Sequence, residues 1–336
     1  MREPSVVPGL APPWWLEEAI AAEGDSAVGA RHASPDSPAV GAGLGTPLQG
    51  GLEVDVAIVG GGYTGLWTAL ALREREPSLR VALLEAEVVG WGPSGRNGGF
   101  LHGYWSNLGR LRELFGDSGA LDVARAAARA IPAVRRLCEQ RGEDVWLREA
   151  GFLKVSAAPA QDSAIERLAA SAKALGVEEE AVPLSAEEVA ERCRSPRFRG
   201  GVFLRDCATV QPARLARALG RAVLAEGVVL HERTRVQAIR AGSPNRLETP
   251  EGRIAASEVI VALNAAAAGW KPVRRQLTNF GSYVVLTDPV PNLLEEIVWT
   301  QGEAIADGRM FVHYFRTTPD TASAAAVRRT SSSSSR

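Results

Sequence analysis

The chain has 336 residues, of which 46% are hydrophobic and 23% charged, and its formal net charge is −1. This length is sufficient for two domains with sizeable cores, and a near-neutral chain without a basic stripe speaks against a nucleic-acid partner. The three cysteines, Cys138, Cys193 and Cys207, are widely spaced; this predicts neither a disulfide framework nor a zinc site and favours a reducing cytoplasm.

Residues 1–51 are predicted to form an arm, a short helix and a flexible linker. The helix is expected over residues 14–20, beginning with Trp14 and Trp15, whereas residues 24–51 are rich in Gly, Ala, Pro and Ser and show no periodicity. No secretory signal is predicted, because no long apolar core occurs in this segment. No membrane segment is predicted either, because the most apolar window of the chain is about half of the roughly 20 residues that a span needs.

The following stretch has the order of elements that a dinucleotide-binding βαβ unit requires. Its parts are an apolar run at 55–59, the turn Gly60-Gly61-Gly62-Tyr63-Thr64-Gly65, a helical pattern at 66–75, a second apolar run at 81–84, and Glu85. Strand, glycine turn, helix, strand and acid occur in the order expected for such a unit. We therefore predict that this stretch binds a dinucleotide, without distinguishing FAD from NAD.

Each glycine of such a turn has a physical role, and this sequence has a glycine at each of these positions. Gly60 allows the tight turn off the strand, Gly62 allows the backbone to approach a pyrophosphate, and Gly65 allows the helix to pack close to the strand. The helix N-terminus offers unpaired N–H groups to the phosphates. Glu85 follows near the distance of about 20 residues expected for the acid that binds a ribose hydroxyl.

The loop at residues 88–100 is glycine-rich and carries the polar side chains of Ser94, Arg96 and Asn97. It leaves the carboxyl end of the second strand, which is where ligands bind in open α/β sheets. We therefore expect it to contact the pyrophosphate and the ring of the cofactor. For Arg96 a second interpretation stays open, in which it binds a substrate carboxylate.

The segments "DVAIVGGGYTGLWTALAL" and "LLEAEVVGWGPSGRNGGF" resemble the FAD-dependent D-amino-acid oxidase superfamily. Within it the chain is most similar to the glycine/sarcosine oxidase and gamma-glutamylputrescine oxidase branch, over residues 13–320 except 25–50. The resemblance implies an α/β fold, with a Rossmann-like FAD/NAD(P)-binding domain and an inserted α+β substrate domain. It also implies FAD as the cofactor, held by Gly60, Gly62, Tyr63, Thr64, Gly65, Glu85, Ala86, Ser94, Gly95, Arg96, Asn97, Gly98, Gly99, Val236 and Asn264.

The remaining chain is predicted to alternate between the two domains. The FAD domain is expected at residues 52–143 and 207–269, and the substrate domain at 144–206 and 270–320. Two helices are predicted over 108–141, with a break near Gly116, and a capping box at Ser185 begins a further helix. No general base is identifiable, so the catalytic residues stay unassigned; the candidates for the pocket beside the flavin are His102, Tyr283 and Tyr314.

The C-terminal residues 321–336 end in five serines and an arginine. This composition predicts a disordered tail, because it offers little apolar surface to bury. The family resemblance stops after Asp320, so we expect the reading frame to be shifted or truncated there. A truncated chain is expected to retain flavin weakly.

The expected reaction is oxidation of a primary or secondary amine or amino acid to an imine, with molecular oxygen as the final electron acceptor and no membrane partner. Two alternatives stay open: an inactive fragment of such an enzyme, and an NAD-dependent dehydrogenase. The sequence does not indicate which amine is oxidised, whether the flavin is covalently attached, or the oligomeric state.

Overall fold

The computed structural model describes residues 13–26, 43–309, 313–319 and 322–328. The helices are α1 (Trp14–Ser26), α2 (Tyr63–Arg75), α3 (Leu108–Ala128), α4 (Ala130–Arg141), α5 (Pro159–Ala174), α6 (Ala186–Ala190), α7 (Pro212–Ala225) and α8 (Pro291–Glu296). The strands are β1 (Gly50–Val59), β2 (Val81–Leu84), β3 (Phe100–His102), β4 (Phe152–Val155), β5 (Ala181–Leu184), β6 (Gly201–Leu204), β7 (Cys207–Thr209), β8 (Val229–His231), β9 (Ala238–Arg240), β10 (Asn245–Glu248), β11 (Gly252–Val261), β12 (Ser282–Pro289), β13 (Ala304–Asp307), β14 (His313–Thr317) and β15 (Ala322–Arg328).

The chain divides into two compact units, each built from two segments. Unit 1 comprises Met1–Asn97 and Gln211–Asn279, and unit 2 comprises Gly98–Val210 and Phe280–Arg336. The predicted boundaries after residues 143, 206 and 269 therefore differ from the observed ones, and the first differs most. The physical reason is packing: Trp105, Leu108 and Ala124 lie in the same buried cluster as Phe152, so residues 98–143 belong with the second unit.

Unit 1 contains a six-stranded sheet in the order β8-β2-β1-β11-β10-β9. The first four strands run parallel, and β10 and β9 add an antiparallel edge. The predicted βαβ unit is present as β1, α2 and β2, and β2 has the predicted bounds. Strand β1 begins at Gly50, inside the predicted linker; linker residues 27–42 and arm residues 1–12 lie outside the described residues.

Helix α7 holds the N-terminal helix α1 against unit 1 through side-chain contacts. Pro212 occupies its first turn and Gln211 caps it by accepting a hydrogen bond from the Arg214 N–H. Arginines on α7, of which Arg217 is buried, pair with acids on α1, as in the two hydrogen bonds of 2.7 and 2.6 Å from Arg217 to Glu23. Because these pairs continue beyond the predicted end at residue 20, α1 is longer than the sequence suggests and extends to Ser26.

Unit 2 contains a seven-stranded sheet in the order β12-β15-β14-β13-β4-β6-β5, with a separate ribbon of β3 and β7. Strand β4 lies between β13, which is parallel, and β6, which is antiparallel. Alternate side chains of β4 enter two different cores: Phe152 packs with residues of α3 and α5, and Leu153 packs with Trp299 and Ile305. This unit therefore has an apolar core on each face of its sheet.

The helices of unit 2 follow the predicted breaks and caps. Gly116 has φ of +69° inside α3, so the helix is kinked where a break was expected. Ser185 and Glu188 form the predicted capping box at the start of α6. Within the described ranges, no helix has the length and hydropathy that crossing a bilayer would require.

The C-terminal segment departs from the sequence prediction. Residues Ala322–Arg328, expected to be part of a disordered tail, form strand β15, which pairs antiparallel with β12 on one side and β14 on the other. A strand between two neighbours takes its hydrogen bonds from their backbones, so the small residues that lower hydrophobic driving force do not prevent pairing. Residues 329–336 lie outside the described residues.

Candidate cofactor-binding site

The glycine turn of unit 1 is sterically closed to larger residues at two of its positions. Gly60 has φ of +114°, and a Cβ there would lie 2.5 Å from the Ala262 carbonyl oxygen. A Cβ on Gly65 would overlap the carbonyl oxygen of Gly60 itself. Both clashes are with backbone, which cannot rotate away, so the turn from β1 into α2 requires glycine at these two positions.

The first turn of α2 is joined to the loop at residues 93–95. The Tyr63 N–H donates a hydrogen bond of 3.0 Å to Ser94 Oγ, and a Cβ on Gly62 would lie 2.9 Å from the same oxygen. Gly62 is the N-cap and offers no side chain to the helix. The helix N-terminus therefore keeps the positive end of its dipole available to an anion.

Glu85 follows β2 and turns back toward the glycine turn. Its Oε2 accepts a hydrogen bond of 2.8 Å from the Gly61 N–H, and its Oε1 accepts one of 3.0 Å from the Glu87 N–H. Burial raises the pKa of Glu85, with smaller contributions from the charges of Glu232 and Glu87, and the two backbone donors oppose the rise. A hydroxyl donor reaching this carboxylate would stabilise its charged form.

A cavity of about 220 Å³ lies beside these groups, entirely within unit 1. Seven residues predicted from the sequence line it: Gly60, Gly62, Glu85, Ala86, Ser94, Val236 and Asn264. The sequence analysis did not assign other residues of the wall, which are Gly90, Gly92, Pro93, Thr234, Arg235, Ala262, Leu263 and Ala266 among others. Ala262 and Leu263 were foreseeable, because they follow β11 at the carboxyl edge of the sheet beside the glycine turn.

The other predicted cofactor residues of unit 1 have structural contacts. The Tyr63 hydroxyl donates to the Pro212 carbonyl at 2.7 Å, and the Asn97 side chain donates to the Pro93 and Ser94 carbonyls. A Cβ on Gly95 would overlap the Gly90 carbonyl oxygen, so Gly95 is needed for the loop to fold back. Thr64 lies in the first turn of α2.

Arg96, in the same loop, uses only part of its hydrogen-bonding capacity. Its Nε donates to the Trp91 carbonyl at 2.6 Å, and its guanidinium lies 5.1 Å from the centre of the Trp91 ring. Among the described residues, Arg96 Nη2 is buried without a hydrogen-bond partner. Burial also lowers the pKa of this guanidinium, so an anionic ligand would relieve a cost that the protein alone does not offset.

Gly98, Gly99 and the three pocket candidates belong to unit 2. A Cβ on Gly98 would overlap the Tyr314 ring, and Tyr314 packs edge-to-face on Phe100 with ring centres 5.2 Å apart. Gly99 has φ of +74°. The structure therefore brings Tyr314 against the predicted loop, and the roles of these residues toward a ligand stay a prediction.

The other two pocket candidates, His102 and Tyr283, also lie in unit 2. His102 Nδ1 is 2.7 Å from the Gly103 carbonyl oxygen, and the His102 ring stacks on Phe152 at 6.1 Å. Tyr283 is 65% exposed on β12, the edge strand of the sheet. The Phe152 ring in turn lies 6.1 Å from that of Phe100, which packs on Tyr314, so His102 and Tyr314 belong to one series of aromatic contacts.

A glycine turn between a parallel strand and a helix, with a partly buried acid after the second strand, defines a dinucleotide-binding protein of the Rossmann type. The sequence model of the DAO family, described as FAD dependent oxidoreductase, matches residues 55–327. The chain therefore belongs to this family of FAD-dependent oxidoreductases. The match continues past Asp320, where the sequence analysis placed the end of the resemblance, and includes most of β15.

Two curated relatives show the extent of the similarity. The chain is 26% identical over 276 residues to gamma-glutamylputrescine oxidoreductase of Escherichia coli K12, which covers 81% of this chain and 64% of the relative. It is 28% identical over 286 residues to the probable oxidoreductase OrdL of Rhizobium meliloti, covering 81% and 63%. The chain thus spans somewhat less than two thirds of the length of these relatives.

Solved structures agree with the fold. Glycine oxidase from Geobacillus kaustophilus superimposes with a TM-score of 0.65 at 25% identity, covering 84% of this chain and 73% of that one. An L-amino acid deaminase from Proteus vulgaris, lacking its specific insertion, gives a TM-score of 0.65 at 18% identity, covering 87% and 73%. At that lower identity the likeness concerns the fold alone.

Proposed function

We propose that the protein oxidises the carbon–nitrogen bond of a small amine or amino acid, with FAD as its cofactor and molecular oxygen as the final electron acceptor. The observation that supports this most is the cavity of unit 1, where Gly62 and Glu85 face the same space in a chain that belongs to an FAD-dependent family. The cavity and the glycine turn beside it, together called the cradle, fit the adenosine diphosphate part of FAD, because Gly60 and Gly62 bring backbone without side chains to the cavity wall. Arg96, on the neighbouring loop, has a buried Nη2 without a partner among the described residues.

The residues of unit 1 would bind the cofactor rather than react. The backbone at Gly60–Gly62 and the start of α2 would hold the pyrophosphate, the Glu85 carboxylate would accept a hydrogen bond from a ribose hydroxyl, and Val236 would contact the adenine. When bound, FAD supplies the two-electron acceptor for the reaction. Arg96 would neutralise part of the pyrophosphate charge.

The substrate would lose a hydride from the carbon next to nitrogen and a proton from the nitrogen, which leaves an imine. Water then hydrolyses the imine to a carbonyl compound and ammonia or an amine. Oxygen, by accepting two electrons and two protons, would yield hydrogen peroxide. We propose Tyr314 as a wall of the substrate pocket, because it lies against Gly98 in the loop predicted to run along the flavin.

The relatives suggest which amines to test first. One is named for gamma-glutamylputrescine and another for glycine, and we propose compounds of these two kinds, a gamma-glutamyl polyamine and a small amino acid, as substrate candidates. We further propose a cytoplasmic location, since Cys138, Cys193 and Cys207 are all free thiols.

The test has two independent parts. Titration of the apoprotein with FAD, followed by flavin fluorescence, should show saturable binding that NAD does not compete for. Peroxide formation should then be measured with gamma-glutamylputrescine, glycine, sarcosine and D-alanine, alongside reduction of an artificial electron acceptor. Dye reduction without peroxide would retain amine oxidation and reject oxygen as acceptor. NAD binding in place of FAD would overturn the proposal and favour a dehydrogenase.

A further inference from the structure

Unit 2 contains a cleft of about 870 Å³ between helices α3 and α5 whose charges are not balanced. Four cationic side chains line it, namely Arg110, Arg112, Lys154 and Arg167, against two acids, Glu113 and Asp117. Both acids are already paired within α3: Glu113 with Arg110 at 2.7 Å, and Asp117 with Arg112 at 2.8 Å. Lys154 and Arg167 are the two cations that remain.

Lys154 differs from Arg110 and Arg167, whose side chains are exposed, and from Arg112, which is paired with Asp117. It lies in the middle of β4, which pairs with strands on both sides, and its side chain is half-buried. Among the described residues, no carboxylate lies within ion-pair distance of it. Burial lowers the pKa of its ammonium group, as expected when a charge is desolvated without a partner.

The neighbouring groups of the cleft are also suited to an anion. Ser106, Asn107 and Gly109, at the start of the 21-residue helix α3, form part of the wall, and the Asn107 side chain does not cap that helix. Ser171 contributes a hydroxyl from α5. The N–H groups of Asn107 and Leu108 already donate to the Tyr104 and Trp105 carbonyls. What the start of the helix adds is therefore the partial positive charge of its dipole, alongside the two unpaired cations.

We propose that this cleft is a second ligand site, distinct from the cofactor cradle, which binds a small anion bearing carboxylate or phosphate groups. Lys154 holds the anion at the base of the cleft and Arg167 holds it at the rim. Occupation supplies the charge that Lys154 lacks, and charge-assisted hydrogen bonds of this kind are stronger than neutral ones. The site does not depend on the proposed oxidation reaction, because none of the residues that line it has a role in that reaction or in cofactor binding.

The chain offers a direct measurement, since it contains only three lysines: Lys154, Lys173 and Lys271. The FAD-saturated protein is labelled briefly with acetic anhydride, and each lysine's labelling rate is read from its peptide mass. Pyrophosphate and citrate serve as the phosphate and carboxylate probes, with sodium chloride at matched ionic strength as the reference. At about ten times the dissociation constant, a probe should slow labelling of Lys154 about tenfold by occupancy, while Lys173 and Lys271 keep their rates.

Calorimetric titration of variants provides the second readout. Lys154→Met and Arg167→Gln should each weaken binding of the effective probe about tenfold or more. Lys173→Met is the matched control, because Lys173 is exposed on the same helix as Arg167 and does not line the cleft; it should leave the affinity unchanged. Protection by pyrophosphate alone or by citrate alone supports the proposal and identifies the ligand's charged group.

Two results would overturn it. The first is protection of Lys154 by chloride as strong as that by the probes, because this would show charge screening rather than binding at a site. Equal protection of Lys154 and Lys173, or no protection by either probe, also rejects the site. These outcomes are measured on the wild-type protein, so they remain decisive even if Lys154→Met fails to fold.

Discussion

The two units of this chain are organised by different physical constraints. In unit 1 the site is made by backbone atoms that approach too closely for side chains, as at Gly60 and Gly65. In unit 2 the sheet is held by apolar side chains from strands far apart in sequence, such as Leu153 on β4 and Ile305 on β13. The conformation of the glycine turn is therefore determined by residues close in sequence, whereas the sheet of unit 2 depends on the burial of side chains that are far apart in sequence.

The largest expected effect is at Gly65 of unit 1. Replacing Gly65 with Val places side-chain atoms on the Gly60 carbonyl, so we expect the free energy of unfolding to fall by about 3 kcal/mol or more and FAD binding to be lost. Denaturant unfolding and FAD titration measure the two effects. Gly51→Ala is the control, because Gly51 lies on β1 outside the cavity lining and has nothing within 4 Å of an added Cβ; it should retain both. An equal loss in the control would contradict the backbone argument.

In unit 2 the corresponding test removes buried volume. Leu153 is 0% exposed, so Leu153→Ala should cost about 2–5 kcal/mol of unfolding free energy. Hydrogen exchange should show faster exchange in β4 and in its neighbours β6 and β13. Leu293→Ala, at a position that is 49% exposed, should change stability by less than about 0.5 kcal/mol. Similar costs for the two variants would show that burial does not dominate this unit.

The protonation of Glu85 provides a pH-dependent test of the site in unit 1. Because burial raises the pKa of Glu85, its contribution to the stability of the apoprotein is present below the ordinary glutamate pKa and is lost as pH rises through the raised value. A ribose hydroxyl donates to the charged form, so FAD affinity should increase over the same rise in pH. Glu85→Gln should weaken FAD binding about tenfold and remove this pH dependence. A wild-type affinity that is flat from about pH 5 to pH 8 would count against the assigned role.

The smallest effects are expected from single hydrogen bonds, one in each unit. Ser185→Ala removes the capping box of α6 in unit 2, and Tyr63→Phe removes the hydrogen bond to Pro212 in unit 1. Each should cost about 1 kcal/mol, measured by denaturant unfolding. The Ser185 cap is a local contact, whereas the Tyr63 bond joins α2 to the start of α7. A much larger loss for Tyr63→Phe would mean that unit 1 depends on more than its glycine turn.

Most of the cofactor cradle could be predicted because its signals are local. The spacing from Gly60 to Glu85 determines a turn, a helix and an acid, and all three occur where the sequence places them. Val236 needed the family resemblance, whereas Asn264 also has a local signal, because it follows β11 at the carboxyl edge of the sheet. The structure places both on the wall of the cavity; that they bind FAD stays a prediction.

The boundary between the units could not be predicted in the same way. The apolar pattern of residues 108–141 indicates buried helix faces, but it does not indicate which sheet they cover. Here Leu108 packs with Phe152 rather than with the strands of unit 1. Strand β15 was missed for a related reason. The composition of a segment indicates how much apolar surface it can bury, but it does not indicate that two neighbouring strands offer it backbone hydrogen bonds.

The docking of α1 onto α7 has a practical consequence for anyone preparing this protein. Arg217 is only 1% exposed and is paired with Glu23, so removing one partner of such a pair costs about 3–5 kcal/mol. Shortened recombinant versions should therefore retain Trp14–Ser26, and an affinity tag is better placed ahead of Trp14 than substituted for the helix.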